Sequence, residues 1–541
     1  MACQFVSCTA DETARSCHRC WKRWLGHCPA TARCGPRAYV GPTNSAGFEI
    51  VVFERRDQVG GLWNFEAEPG KCHVVPSAPT PHSAGSTVVS SSGYAYSEPR
   101  ALHEASAMYE GLRTNIPSDL MAFRDFPFPE GTRLFPERAE VLAYLERFAS
   151  HIGMERVTRF GTRVTDVRRL SVAPSRWQVT SESQDGSRTE TFDHVAIACG
   201  WCTVPHIPSI PGLEHFRGTQ WHSAWYRTPT IFRNQRVLVV GNFSSGTDVA
   251  RELCGGAVRT FPGSEQWKKE AAQEPPATGT YVYQSYLRPD LPPPLDYDPR
   301  DPTSPDWCRR IHVLGPIDHV EADGTLVFRD GQRLSVDAIV WATGFWRSIP
   351  MLDQTLAPFD KCPLVAPPGC RTASSSAAPM PMCSNLDVHG TSSLTNLDDW
   401  QIFYEPDNSL ALLGVPTHVI PFPFVHVQAR VIAHVWAGLV PKLPQLDPAL
   451  QPGIPEKWTS QREHSPLAAG VEPVSHLIET PSEEAYLDAL VALLPGPQGS
   501  TRPPWDKDGT SRGPEGWHQL SHWRRERLRD RILLRRQSLG Y

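Results

Sequence analysis

A chain of 541 residues has room for two to four domains and a large core, which excludes a peptide or a single small binding module. Hydrophobic residues at 40% and charged residues at 21% are ordinary for a globular protein, and 53 basic against 58 acidic side chains leave a charge of -5. That balance provides no global field for nucleic acid or anionic lipid, so neither is expected as a partner.

The first 34 residues hold six of the 14 cysteines, including Cys17-His18-Arg19-Cys20. That is half of a zinc-site spacing, but no second close Cys/His pair follows, so no metal is expected and residues 1–46 read as a disordered leader. Asp11, Glu12 and Arg15 precede any apolar run, so no secretory signal is legible. A cytoplasmic location with reduced thiols is the expectation. The best membrane candidate, Val431 to Val440, is interrupted by His434 and falls short of the ~18 apolar residues a span needs, so no transmembrane anchor is expected.

From Phe48 to Glu54 a short β-branched run ends in an acid and reads as a buried parallel strand, with the turn Gly60-Gly61-Leu62-Trp63 after it. Pro69 to Arg100 is a Ser-, Pro- and Gly-rich loop; the chain's 52 prolines, about twice the usual ~5%, predict several such connections. Arg138 to His151 carries apolar residues at helical spacing, and Arg163 to Val167 and Trp177 to Ser181 look like strands. Three compact apolar runs follow, Phe192 to Ala198, Arg236 to Val240 and Val336 to Trp341, each stopping at or near a glycine: Gly200, Gly241 and Gly344. Strands that end in glycine turns point to a nucleotide-binding α/β sheet. Residues 362–393 look like an insertion. Two helices are expected near the end, Ser482 to Leu494 and Trp517 to Leu539; the latter has seven arginines, but the apolar face Trp517, Leu520, Leu528 and Ile532 predicts docking on the protein surface.

The clearest site is Val237 to Ala250, with Gly241-Asn242-Phe243-Ser244-Ser245-Gly246-Thr247-Asp248 within it: a strand, a tight small-residue turn, then a helix. That order sets backbone N–H groups and a helix N-terminus against a phosphate, although Phe243 stands where GxGxxG has its middle glycine. Glu54 stands where a dinucleotide fold uses an acid to hold ribose hydroxyls. Between these units lies Phe216 to Tyr226, with the pattern FxGxxxHxxxY.

That pattern resembles the fingerprint of flavin-containing monooxygenases. Leu112-Arg113-Thr114-Asn115, Met121 to Pro127, Ser245 to Asp248, Ala342-Thr343-Gly344-Phe345 and Gln428 agree with the family in chain order over residues 47 to 445. The resemblance implies an α/β protein with two dinucleotide-binding, Rossmann-like domains, the NADPH domain inserted into the FAD domain. The implied division is 47–212 and 335–445 for FAD, 213–334 for NADPH and 446–541 for a helical tail. It implies that NADPH reduces FAD, that O2 adds at flavin C4a, and that the hydroperoxide oxygenates a soft nitrogen or sulfur nucleophile in a small molecule. Glu54, Leu62, Trp63, Thr114 and Asn115 match FAD positions, with Asn115 at the reactive flavin edge as the catalytic residue. Gly60, Gly61, Ser245, Gly246, Thr247 and Asp248 match positions near the nicotinamide nucleotide, and Gly241 and Gln428 complete the cofactor set. Arg259, Lys268 and Lys269 are weaker candidates for the 2'-phosphate, on charge alone.

The fingerprint histidine, His222, is expected to be structural. Cys199-Gly200-Trp201-Cys202 has redox spacing but sits where the family has a strand end, so it is read as coincidence. A Baeyer-Villiger monooxygenase is the alternative enzyme, disfavoured by Tyr226, and a noncatalytic relative without FAD is the alternative from another class. The latter arises because residues 1–46 contain no GxGxxG and no recognisable central strand, which predicts a lost pyrophosphate turn and exposed sheet edges. A homodimer is left open.

Overall fold

The computed structural model describes residues 5–10, 48–70, 105–123, 126–208, 210–255, 279–347, 349–365, 394–440, 443–446, 482–494 and 522–539. The Cys17–Cys20 pair, the insertion from residue 366 onward and Arg259, Lys268 and Lys269 lie outside them.

The first sheet has five strands in the order Leu410–Leu412, His194–Ile197, Phe5–Ala10, Phe48–Phe53, Thr158–Arg159. Its alternating interior residues Phe53, Val195, Ile197, Leu410 and Leu412 bury against Trp177 and Phe192 of an antiparallel three-stranded sheet, Arg163–Val172, Ser175–Ser183 and Gly186–Phe192. The expectation that residues 1–46 contain no central strand is corrected. Phe5-Val6-Ser7-Cys8-Thr9-Ala10 fills that slot, bonded to both neighbours and thereby covering edges that would otherwise be unpaired. Aromatic and β-branched residues at 5, 6 and 9 suit a strand, but six residues without an apolar alternation give little signal.

This strand runs antiparallel to its neighbours. Phe5 lies beside Phe53 and Ile197, at the edge where those strands end, whereas Ala10 leaves beside Phe48 at the opposite edge. A phosphate turn that follows a central strand belongs at its neighbours' C-terminal edge. Here the residue order carries the chain away from it.

The second sheet is parallel throughout, in the order Ile311–Leu314, Tyr281–Ser285, Arg236–Val240, Ala338–Trp341, Thr219–His222. Val237, Leu238, Val239 and all of Ala338–Trp341 are buried, because helices or loops cover both faces of a parallel sheet. Its strands lie between residues 219 and 341, whereas the first sheet takes strands from both sides of that interval. The fold is therefore α/β with one Rossmann-like unit inserted in another. Ala338–Trp341, assigned from sequence to the first domain beyond residue 334, is hydrogen-bonded into the second sheet on both sides.

Helix Arg138–Ile152 begins in a capping box formed by Glu137 and Glu140, and ends at Gly153, whose φ of 68° an L-residue would resist. Helix Pro421–Trp436 packs Phe424, Val427 and Val431 on Tyr486, Leu487 and Leu490 of Ser482–Ala492. The arginine-rich terminus forms two helices, His522–Arg529 and Arg531–Leu539; of the expected docking face Leu528 is buried and Ile532 half-buried, Trp517 and Leu520 lie outside the described residues, and Leu539 is buried as well. No helix among the described residues is long and apolar enough to cross a membrane.

Candidate functional site

Strand Arg236–Val240 runs into Gly241, where φ is 112° and a Cβ would lie 2.5 Å from the Ala342 carbonyl oxygen. Helix Ser244–Gly255 starts after two further residues, and a Cβ on Gly246 would overlap the Gly241 carbonyl. Thr247 donates its backbone N–H to Phe243 O at 2.8 Å and its hydroxyl to Asn242 O at 3.1 Å, while Gln284 donates to Gly241 O at 2.9 Å. Two obligatory glycines thus leave a narrow turn at the positive end of a helix whose first N–H groups have no intrahelical acceptor. Phosphate is the natural ligand of such an end, and the residues fit a dinucleotide. Phe243 does not fill the turn: its half-exposed ring stacks on His418 with centroids 4.8 Å apart and planes at 10°.

In the first unit, Glu54 is buried at the end of its strand and accepts the Arg56 N–H at 2.9 Å. Burial raises its pKa to about 7, against the lowering effect of that hydrogen bond and the Arg55 and Arg56 charges. Gly60 (φ 110°) leads into the short turn Gly61–Trp63, and a Cβ there would overlap Leu142, so this glycine allows the backbone to press on helix Arg138–Ile152. Leu62 O accepts the Ser106 hydroxyl, and Trp63 meets Phe422 edge-on at 6.2 Å. Glu54 and this turn suit the nucleoside part of a flavin dinucleotide. Ala10 lies at the sheet edge opposite Glu54, so among the described residues the first unit presents no phosphate turn beside that acid and the fit to the pyrophosphate is incomplete.

The two units meet at Asn115. Thr114 is buried, donates its N–H to Pro136 O at 3.1 Å and its hydroxyl to Ile116 O at 2.9 Å, and so fixes the loop. From that loop Asn115 Nδ2 donates to Ser244 Oγ at 3.2 Å, beside Ser245 at the start of the nucleotide helix. Gln428 belongs elsewhere: fully buried on Pro421–Trp436, it accepts Gly414 N–H at 2.9 Å and donates to the Tyr486 hydroxyl at 3.3 Å. Asp248 also faces inward, accepting from the Tyr109 hydroxyl, Arg251 (2.9 Å) and Arg535 (3.2 Å). Burial raises its pKa, but the cations Arg535 and Arg251 outweigh that and hold it below the usual carboxylate range.

The FxGxxxHxxxY residues act as fasteners of the interdomain segment. Phe216 is buried, and a Cβ on Gly218 would overlap Asp337 O. His222 accepts Ala224 N–H at Nδ1 (3.1 Å) and donates from Nε2 to Gly344 O (3.0 Å), and burial lowers its pKa to about 3. Tyr226 donates to Glu252 Oε2 at 2.7 Å. Cys199 and Cys202 are free thiols. Sequence reasoning missed Arg227, whose buried guanidinium donates to the carbonyls of Glu66, Ser106, Ala224 and Tyr226 and so ties the Gly60–Trp63 turn to the same segment. It missed Arg535 and Glu252 as well. One arginine among seven and one helical glutamate have no distinguishing local pattern.

Burial, with a smaller contribution from Asp248, raises the Glu252 pKa to about 8 despite the Tyr226 bond. The folded chain therefore holds a proton that an unfolded glutamate, at about 4.3, releases. Its contribution to stability is complete below that lower value and declines as pH rises to about 8. Denaturant titrations from pH 5 to 9 should show this decline, and Glu252→Gln should flatten it by a few kcal/mol. An unchanged slope would disprove the assignment.

The Flavin-binding monooxygenase-like family model matches residues 94–267. The chain is 31% identical over 317 residues to flavin-containing monooxygenase FMO GS-OX4 of Arabidopsis thaliana, covering 57% of each chain. It is 27% identical over 436 residues to FMO GS-OX-like 2 of the same plant, covering 76% of each. The alignment thus spans little more than half the length of the first relative. The S-allyl-L-cysteine S-oxygenase structure from Allium sativum shares the fold, with a TM-score of 0.57, 23% identity, and coverage of 90% of this chain and 87% of that one.

Proposed function

We propose that the chain, which is similar to flavin-containing monooxygenases, is a member of that family and oxygenates a soft nitrogen or sulfur nucleophile in a small molecule with NADPH and O2. FAD and NADPH are the cofactors, and bound flavin supplies the O2 activation that side chains cannot. The protein's part is to hold, orient and shield. We assign Gly241, Ser245, Gly246 and Thr247 to the nicotinamide dinucleotide, with Asp248 securing their helix from within. Glu54, Leu62, Trp63 and Thr114 are assigned to the flavin side; Gly60 and Gly61, matched from sequence to the nicotinamide nucleotide, stand in the same first-unit turn and are assigned with them, and Gln428 supports the surrounding loop. The observation that carries the reading is the Asn115–Ser244 hydrogen bond, which joins the loop of one unit to the helix start of the other. A donor amide at that junction can orient both cofactors' reacting ends.

Full-length protein supplied with FAD, NADPH and a dialkyl sulfide or tertiary amine should yield the sulfoxide or N-oxide. NADPH should be preferred to NADH. Absence of oxygenated product with flavin bound would overturn the activity. Asn115→Ser should cut product per NADPH by about tenfold, equivalent to ~1.4 kcal/mol, and release the balance as peroxide. Product formation and peroxide release equal to wild type would remove Asn115 from the mechanism. A second reading, a relative that holds FAD only weakly, is favoured by the antiparallel central strand. A cytoplasmic location fits the cofactors' supply.

A further inference from the structure

The two terminal helices lie across both nucleotide units. On the first unit, Arg524 donates to Asp119 O (3.2 Å) and Leu120 O (2.8 Å), Arg527 pairs with Asp119 at 3.0 Å, and Leu528 is buried with Leu120, Met121 and Phe123. On the second, Leu539 is buried with Val249 and Leu253, and the Arg536 guanidinium sits 3.7 Å from the Tyr297 ring centroid. Arg535 stands where the units meet. Only 4% exposed, it donates to Thr114 O at 3.2 Å and Arg113 O at 3.4 Å, and Nη2 also reaches Asp248 Oδ1 at 3.2 Å. Those carbonyls immediately precede Asn115, and Asp248 is one helical turn beyond Ser244, the residue that Asn115 touches. A planar guanidinium can bond carbonyls and a carboxylate in fixed directions at once, which a flexible ammonium cannot reproduce.

We propose that Arg535 is a positioning residue that sets the Asn115 loop against the dinucleotide-binding turn of the second unit. The inference rests on the reading of that turn given above. It makes helix Arg531–Leu539 part of the reaction geometry, although Arg535 acts through the Arg113 and Thr114 carbonyls and the Asp248 carboxylate and bonds neither Asn115 nor the Gly241–Gly246 turn. The Asp248 carboxylate, held ionised by Arg535 and Arg251 in a buried site, supports the same view.

Calorimetric titration of the full chain with NADP+ tests it, together with hydrogen exchange of residues 111–121 and 241–248 in the absence of ligand. Arg535→Met and Arg535→Lys should weaken NADP+ binding about tenfold or more and speed exchange in both segments. Arg524→Met loosens the same tail away from Asp248, so it should speed exchange only near 118–121 and leave NADP+ affinity unchanged. Wild-type affinity in Arg535→Lys would overturn the proposal, as would equal losses in Arg535→Met and Arg524→Met. Because Arg535→Met leaves a buried carboxylate short of a cation, the double variant Arg535→Met/Asp248→Asn provides a folded comparison. It should bind NADP+ weakly, and wild-type affinity in it would also overturn the proposal. If the wild type itself binds no NADP+, the functional reading fails separately. Exchange then decides for Arg535: unchanged protection of 241–248 in Arg535→Met overturns its role.

Discussion

Gly246→Ala should weaken NADP+ binding about tenfold to hundredfold, and Gly241→Ala should do the same with a larger loss of thermal stability. The added methyl of Gly246→Ala meets the Gly241 carbonyl, which is backbone and cannot rotate aside. Overpacking of this kind costs about 1–3 kcal/mol when the surroundings shift, and the shift required is an opening of the phosphate turn itself. Gly241→Ala adds a φ of 112°, disfavoured for L-residues, to a 2.5 Å approach to Ala342 O. Tenfold to hundredfold weaker binding follows from ~1.4–2.8 kcal/mol, measurable by titration calorimetry. Gly331→Ala is the control: φ is 83° there, but nothing lies within 4 Å of the added carbon. It should lose some stability and keep NADP+ affinity. Wild-type affinity in Gly246→Ala would show that the turn does not hold the dinucleotide.

FAD should bind this chain weakly, and exchanging residues 1–46 for a strand, GxGxxG turn and helix should tighten it about a thousandfold or more. Pyrophosphate carries two negative charges, which a dinucleotide fold offsets with turn N–H groups and a helix N-terminus. Two or three charge-assisted hydrogen bonds at ~1.5–3 kcal/mol each account for that factor. Here Phe5–Ala10 takes the central slot in the opposite direction and leaves the sheet at the far edge. The exposed sheet edges expected from the sequence are covered, because Phe5–Ala10 pairs with both neighbours. Flavin absorbance after gel filtration gives the occupancy. One FAD per chain in the unaltered protein at submicromolar concentration would refute the prediction.

Local pattern determined much of the architecture. Arg236–Val240, the helix from Arg138 and the helix from Ser482 were readable because a buried parallel strand is a continuous apolar run and a surface helix repeats its apolar residues every three to four positions. Gly241 and Gly246 were readable too, since a tight strand-to-helix turn admits few other residues there. Tertiary structure decided what depends on partners distant in sequence. The direction of Phe5–Ala10 appears only in its pairing with both neighbours, and a six-residue strand contains no information about its own orientation. The placement of Ala338–Trp341 in the second sheet follows from pairing with Val237–Val240, about a hundred residues away. Gln428 and Asp248 were legible as family positions, but their inward bonds to Tyr486 and to Arg251 and Arg535 were not. Arg535 is the clearest case. Its residue type was plain within a run of seven arginines, yet only packing singles out the one whose burial beside Asp248 and the Asn115 loop makes a charge useful there.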